Sequence, residues 1–287
     1  MANLKEIRNR IASVSSTMQI TSAMKMVSAA KLKKAQDAIT AMRPYANKLT
    51  ELLQSLSASL EGDTGSQFAE QRDVKNVLIV SITSNRGLAG AFNSNIIKET
   101  VLLSSETYSN QNVDLVTIGK KGNDILGKSN TVVFNNNEIF DDLTFDNTAA
   151  IAEQLMDLFA NGSYDKIVLV YNNFKNAATQ FVLTEQFLPI ASEKTTENVQ
   201  IADYIFEPSK EKIVEELIPK SLKTQLFKAL RDSVASEHGA RMTAMHKATD
   251  NATELRDALK LQYNKARQAA ITNEILEIVG GAEALAG

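Results

Sequence analysis

Residues 4–60 read LKEIRNRIASVSSTMQITSAMKMVSAAKLKKAQDAITAMRPYANKLTELLQSLSASL, and their spacing decides the fold. Steps of three and four alternate through Leu4, Ile7, Ile11, Val14, Met18, Thr21, Lys25, Ser28, Leu32, Ala35, Ile39, Met42, Ala46, Leu49, Leu53, Leu56 and Leu60. Only Thr21, Lys25 and Ser28 interrupt this apolar seam. Such a seam is one narrow stripe on a helix, and a strict seven-residue repeat makes paired helices supercoil left-handedly. At about 1.5 Å per residue the helix is roughly 85 Å long, beyond the reach of a globular core. Pro44 lies inside the seam and is expected to bend the helix, because proline removes an internal hydrogen bond.

A second long stretch runs from about Pro219 to Leu285. It repeats the spacing less cleanly through Val234, Met245, Ala248, Ala252, Leu255, Leu259, Ala266, Ala269 and Leu276. Lys210 to Leu217 supplies its possible first turns, and Pro219 suits a first helical position or a kink. Two such helices at opposite ends of one chain pair most economically as an intramolecular antiparallel coiled coil. The sequence therefore predicts three parts: an N-terminal coiled-coil helix (1–60), a central domain (61–208) and a C-terminal coiled-coil helix (209–287).

The middle of the chain reads differently. Glu61-Gly62-Asp63-Thr64-Gly65-Ser66 is a break rich in turn formers. Val77 to Ile82 then reads as a buried strand, Asn93 to about Tyr108 as a helix, and Val113 to Ile118, Thr131 to Phe134 and Ile167 to Tyr171 as further strands. Helical patterns at Lys120 to Leu126 and Thr148 to Phe159 alternate with them, so the expected domain is a mostly parallel, Rossmann-like α/β sheet. Phe181 to Leu188 and Tyr204 to Phe206 read as closing strands.

Composition removes several classes of chemistry. The chain of 287 residues has no cysteine and two histidines, His238 and His246. A thiol nucleophile, a disulfide and a multi-histidine metal site are thereby excluded or disfavoured. No apolar run is long enough to span a bilayer, and MANLKEIRNRI enters the helical pattern at once, without a signal-peptide core. The expectation is a protein kept on the cytoplasmic side, with any membrane attachment made through partners. The net charge is −3, yet residues 1–60 hold nine Lys or Arg against three acids, so the first helix is +6 and the remainder −9. That asymmetry suits a helix facing an acidic protein or nucleic-acid surface, or simply a solvated face.

The loop Ser84-Asn85-Arg86-Gly87-Leu88-Ala89-Gly90-Ala91-Phe92-Asn93 leaves the first strand and opens a helix, the place where α/β folds bind phosphate. It matches neither a dinucleotide fingerprint nor a P-loop. A tight turn and close helix packing explain its glycines as well. Ser236, Glu237 and His238 are consecutive, and neighbours along a helix point apart, so they cannot form a triad. Six of eight methionines sit in the terminal stretches. Met24, Met26 and Val27 fall off the seam beside Lys25 and Ser28, which predicts apolar surface turned outward there, suited to contacts that re-form.

Three segments together carry a resemblance: IASVSSTMQITSAMKMVSAAKL at 11–32, SNRGLAGAFNSN at 84–95, and ASEHGARMTAMHKATDNA at 235–252 with KARQAAITNEILEIVGGAEAL at 265–285. In order, spacing and architecture the chain resembles the gamma subunits of F-type ATP synthases along its whole length. Asn85, Ala89 and Gly239 stand where the family often has Asp, Cys and Ala, and the cysteine-bearing insertion of chloroplast relatives is missing. The resemblance implies a non-catalytic rotor shaft without cofactor, metal or catalytic residues. Its implied partners are the alpha and beta subunits of the catalytic ring, the epsilon subunit and the c-ring; nucleic acid is not one of them. Its implied place is the cytoplasmic side of the cell membrane, the inner membrane in a Gram-negative bacterium. Carried over by position, Met24, Lys25 and Lys31 match the surface that the family sets against acidic beta-subunit loops. Arg241, Arg267, Gln268, Thr272 and Glu274 match positions that couple the C-terminal helix to the ring, with Ile275, Leu276, Ile278 and Val279 as an apolar bearing. The competing reading is a Rossmann-like nucleotide enzyme with an oligomerising coiled coil; a coiled-coil tether on nucleic acid is the third.

Overall fold

The computed structural model describes residues 4–59, 67–68, 70–190 and 210–286, without the side chains of 43, 47, 50–59, 210–215, 285 and 286. The expected break at 61–66, the strand at 204–206 and the seam positions Leu53, Leu56 and Leu60 lie outside that description. The chain forms two compact units, one of Met1–Ser28 with Met242–Gly287 and one of Ala29–Arg241. Each long helix, α1 (Leu4–Ser59) and α5 (Lys210–Ala286), contributes a segment to both. Helix α1 continues through Pro44 and α5 through Pro219, so Pro219 is an interior residue, with α5 beginning at Lys210.

The larger unit contains a five-stranded sheet of order β3-β2-β1-β4-β5. Strands β1 (Asn76–Ile82), β2 (Asn112–Ile118), β3 (Val132–Asn136) and β4 (Lys166–Phe174) are parallel, and β5 (Gln180–Leu188) closes the edge antiparallel to β4. Helices α2 (Phe92–Leu102), α3 (Lys120–Leu126) and α4 (Phe145–Ala160) are the crossovers. A parallel strand needs such a connection to return to the same end of the sheet, and burial on both faces makes β1 almost continuously apolar. Helix α4 starts where Thr144 accepts a hydrogen bond from the Asn147 N–H at 3.3 Å, an ordinary cap for an exposed amide. The helix expected to reach Tyr108 ends as α at Leu102 and continues as a π turn, Leu103–Thr107.

Alternation sorts the core into two layers. Val77, Ile79, Leu115 and Val170 pack against Ile96, Leu103 and Leu126 on one face. Leu78, Val80, Ile82, Val116 and Leu169 face Ile151, Leu155 and Phe159 of α4 on the other, joined there by Ile218, Leu222, Leu226 and Leu230 of α5. The base of α5 is thus part of the sheet's own core. Leu32, Ala35, Ile39, Ala46 and Leu49 of α1 are buried in the same unit, as the seam predicts, and Lys220 of α5 lies 6.0 Å from the Tyr45 ring centroid.

In the smaller unit the helices are antiparallel: Arg8 donates to the Tyr263 hydroxyl at 2.8 Å, and the Thr21 and Thr249 hydroxyls lie 2.8 Å apart. The positions expected to interrupt the seam do not. Ser28 is 2% exposed and donates to the Met24 carbonyl, Thr21 bonds across the seam, and Lys25 is half-buried. Short hydroxyls satisfy themselves on the local backbone or on each other, so they fit an otherwise apolar layer.

The seam of α5 differs from expectation. Leu255, Ala269 and Leu276 are exposed, and the inward positions are Met245, Thr249, Ala252, Arg256, Leu259, Tyr263, Ala266 and Ala270. These keep the alternating steps of four and three, which the apolar residue Leu255 obscures by standing beside the true position. Arg256 lays its stem inward and donates toward the Met18 sulfur at 3.5 Å. Leu276 lies beyond the reach of α1, since Arg8 already stands opposite Tyr263.

Candidate functional site

The loop after β1 is held by its own side chains. Asn93 Oδ1 accepts from the Ser84 N–H at 2.9 Å, and Ser84 Oγ donates to the Arg86 carbonyl at 2.7 Å. Asn85 ties together three strand-end loops, donating to the Asn137 carbonyl at 2.8 Å and accepting from the Lys120 N–H at 3.0 Å. Leu88 and Gly90 have φ of 63° and 58°, so the turn passes twice through the left-handed region. At the start of the helix the Phe92 N–H donates to Ala89 O, and the Asn95 N–H to Ala91 O. The glycine-bearing loop therefore makes a tight, self-bonded turn.

The strand order reverses between β1 and β4, and beyond their carboxyl ends lies the crevice where doubly wound sheets place ligands. In this chain α5 crosses that position. Asn172, near the end of β4, donates to the Phe92 carbonyl at 3.2 Å while its own carbonyl accepts from Ser236 Oγ at 3.0 Å. Asn173 donates to Asp232 Oδ2 at 3.3 Å. The Arg241 guanidinium donates to the Gly87 carbonyl and pairs with Glu237. Gly239 allows the β4–β5 turn to approach, since an added Cβ would stand 3.1 Å from the Ala177 carbonyl. Close backbone packing accounts for that helical glycine.

Ser236, Glu237 and His238 meet different surroundings, as their spacing requires. Ser236 serves the sheet, Glu237 serves Arg241, and His238 Nδ1 is buried without a hydrogen-bond partner. Desolvation first, then the charges of Lys31 on α1 and Arg241 on α5, push the His238 imidazole down to about 4. The sign follows from linkage: the unfolded chain takes up the proton near the ordinary value of about 6.5 while the folded chain does not. His238 thus favours folding fully at neutral pH, and that contribution is lost as pH falls from about 6.5 through 4. A His238→Gln variant is expected to lose less stability than the parent between pH 7 and pH 4, measured as urea midpoints across the range. Equal losses in both proteins would contradict the assignment.

The residues singled out from the sequence fall into separate places. Met24 and Lys25 are half-buried, whereas Met26 is 66% exposed and Val27 and Ile20 are also exposed. The outward apolar patch on α1 is therefore Ile20, Met26 and Val27, with Met24 turned partly inward. Lys31 is exposed and Arg241 is buried in the loop contact just described. Arg267, Gln268, Thr272 and Glu274 are all exposed on the last turns of α5, where Thr272 donates only to the Gln268 carbonyl of its own helix. Ile271, Ile275, Leu276, Ile278 and Val279 are exposed among them. Sequence reasoning missed the Glu237–Arg241 pair and its hold on Gly87; the i, i+4 spacing of opposite charges was its only signal.

Among the described residues no cluster of His, Cys, Asp or Glu could hold a metal ion, and no helix is long and apolar enough to cross a membrane. The family model for ATP synthase matches residues 3–285. ATP synthase gamma chains of Flavobacterium psychrophilum and Flavobacterium johnsoniae are each 72% identical over 287 residues, covering 100% of both chains. The chain belongs to the ATP synthase gamma-chain family. A more distant gamma chain, from Chloroherpeton thalassium, is 48% identical and covers 99% of each chain. Among solved structures, the central stalk/c-ring structure of the Tetrahymena thermophila mitochondrial ATP synthase matches with TM-score 0.60 and 28% identity, covering 80% of this chain and 99% of that one. The rotor of the Euglena gracilis mitochondrial ATP synthase shares the fold at TM-score 0.67 and 22% identity, covering 93% and 98%. The paired terminal helices and parallel sheet of this gamma chain are thus a fold that central-stalk proteins share.

Proposed function

We propose that this gamma chain is the non-catalytic central rotor of a proton-translocating ATP synthase, converting c-ring rotation into sequential conformational change of the catalytic beta subunits. In this reading residues 1–60 and 209–287 are the shaft and 61–208 the foot. The shaft turns inside the ring of alpha and beta subunits, and the foot stands with the epsilon subunit on the c-ring. The protein is peripheral to the membrane on its cytoplasmic side and reaches it through partners.

The observation that carries this reading is the end of α5. Residues 271–284 are exposed throughout, with five large apolar side chains among them. A single helix of that length is marginal in water, and exposed apolar groups along it mark a surface that another protein covers. Arg267, Gln268, Thr272 and Glu274 lie on the same turns and supply polar contacts to the ring. Met24, Lys25 and Lys31 supply the α1 contribution, with the exposed Met26 and Val27 beside them. A rotor needs differential contact with each state of its partner, because a shaft that touched every beta-subunit state equally would shift none of them.

The test is reconstitution with alpha and beta subunits. The isolated chain should show no ATP hydrolysis, and the complex should rotate a bead fixed to the sheet domain when ATP is added. Stoichiometric nucleotide binding and turnover by the chain alone would favour a Rossmann-like enzyme instead.

A further inference from the structure

Arg241 and Glu237 form a largely buried ion pair on α5, their side chains 10% and 15% exposed, and Arg241 Nη1 donates to a backbone carbonyl of the loop after β1. Charges so placed are retained only when paired and hydrogen-bonded, and removing one partner leaves the other uncompensated. The carbonyl they hold, Gly87 O, precedes Leu88, whose φ of 63° is uncommon for a residue with a branched side chain. Leu88 is 68% exposed, so no burial of its own side chain holds the turn in that conformation. Of the other ties of the loop, those between Ser84 and Asn93 close it on itself, Asn85 fastens it to the neighbouring loops, and Asn172 of β4 holds the Phe92 carbonyl. Arg241 fastens it to α5.

We infer that Arg241, held in place by Glu237, is a positioning residue that clamps the loop 84–93 onto α5 at the carboxyl ends of the strands, so that force on the sheet passes into the helix. The crevice that related folds give to a ligand serves here as the seat of the helix. Arg241 acts within the chain at this place, which differs from the contact to the ring that its family position implies. The guanidinium suits the role because its planar fork can hold a carboxylate and a carbonyl at once, which an ammonium on a flexible stem does less well.

This inference rests on the rotor reading, and the test separates the two. Full-length chains carrying Arg241→Ala, Arg241→Lys or Glu237→Gln are compared with the parent, alone and assembled into the complete complex. In the chain alone, hydrogen exchange of the loop amides at 86–91 is expected to rise about tenfold or more in Arg241→Ala while β1 and β4 stay protected. In the complex, protons pumped per ATP hydrolysed are expected to fall to roughly half or less, with Arg241→Lys intermediate. A merely structural role would lower the melting temperature without changing that ratio. Should Arg241→Ala not fold, Arg241→Lys and Glu237→Gln carry the same two readouts. Loop exchange equal to the parent's overturns the clamp, and so does a loosened loop with unchanged coupling. Failure of the parent chain itself to assemble with alpha and beta subunits overturns the rotor reading, leaving the clamp to be judged on loop exchange.

Discussion

Gly119→Ala is expected to destabilise the sheet unit by roughly 3 kcal/mol or more, since an overpacked site and a left-handed backbone position each cost about 1 to 3 kcal/mol. Gly119 follows β2 with φ of 105°, and a Cβ there would stand 2.3 Å from the Thr83 carbonyl oxygen and 2.9 Å from its hydroxyl. Neither atom can retreat. The Thr83 N–H donates to Ile118 O at 2.8 Å, and its hydroxyl accepts from the Gly122 N–H at 2.9 Å. Thr83 also extends β1, the central strand, which is paired on both sides. A urea titration followed by circular dichroism measures the effect, with Gly280→Ala as the control, since nothing lies within 4 Å of a Cβ added there. Equal midpoints for Gly119→Ala and the parent would show that the loop yields where its hydrogen bonds say it cannot.

The second large effect is functional. Replacing Arg267, Gln268, Thr272 and Glu274 together by alanine should leave the isolated chain's stability within about 0.5 kcal/mol, because all four are exposed on one helix. In the assembled complex the same variant should hydrolyse ATP at least about tenfold more slowly. Four polar contacts at roughly 1 kcal/mol each exceed the 1.4 kcal/mol that corresponds to a factor of ten, even when they are only partly additive. Melting curves and steady-state ATPase rates decide the matter. A complex that keeps the parent's rate would remove these residues from the coupling site, while leaving the fold and the family untouched.

The parallel sheet was legible because burial on both faces writes itself into β1 as an unbroken apolar run, and turn formers punctuate the crossovers. The α1 seam was legible for the same kind of reason. Its apparent interruption at Thr21, Lys25 and Ser28 misled because the side-chain alphabet does not show that a hydroxyl can bond to Met24 O or to Thr249 across the interface. Leu255 misled in the opposite direction. Hydrophobic identity pointed to it, but the geometric repeat that begins at Met245 selects Arg256, an amphipathic residue that fills the position with its stem.

The candidate site was legible only in part. Arg267, Gln268, Thr272 and Glu274 are exposed on α5, whereas Arg241, grouped with them by family position, lies buried against Gly87. Local pattern fixes which residues of a helix share a face. It says nothing of what another part of the chain brings to that face.

By itself the sequence determined the helices, the strands, the family and the absence of any thiol chemistry, since periodicity, composition and long matching segments are properties of the chain read in order. Only the tertiary structure decided that α5 seats itself over the strand ends, that Arg241 serves the loop, and which residue of each pair along α5 turns inward. Those outcomes depend on atoms far apart in sequence meeting at hydrogen-bond distance, and no local spacing encodes such a meeting.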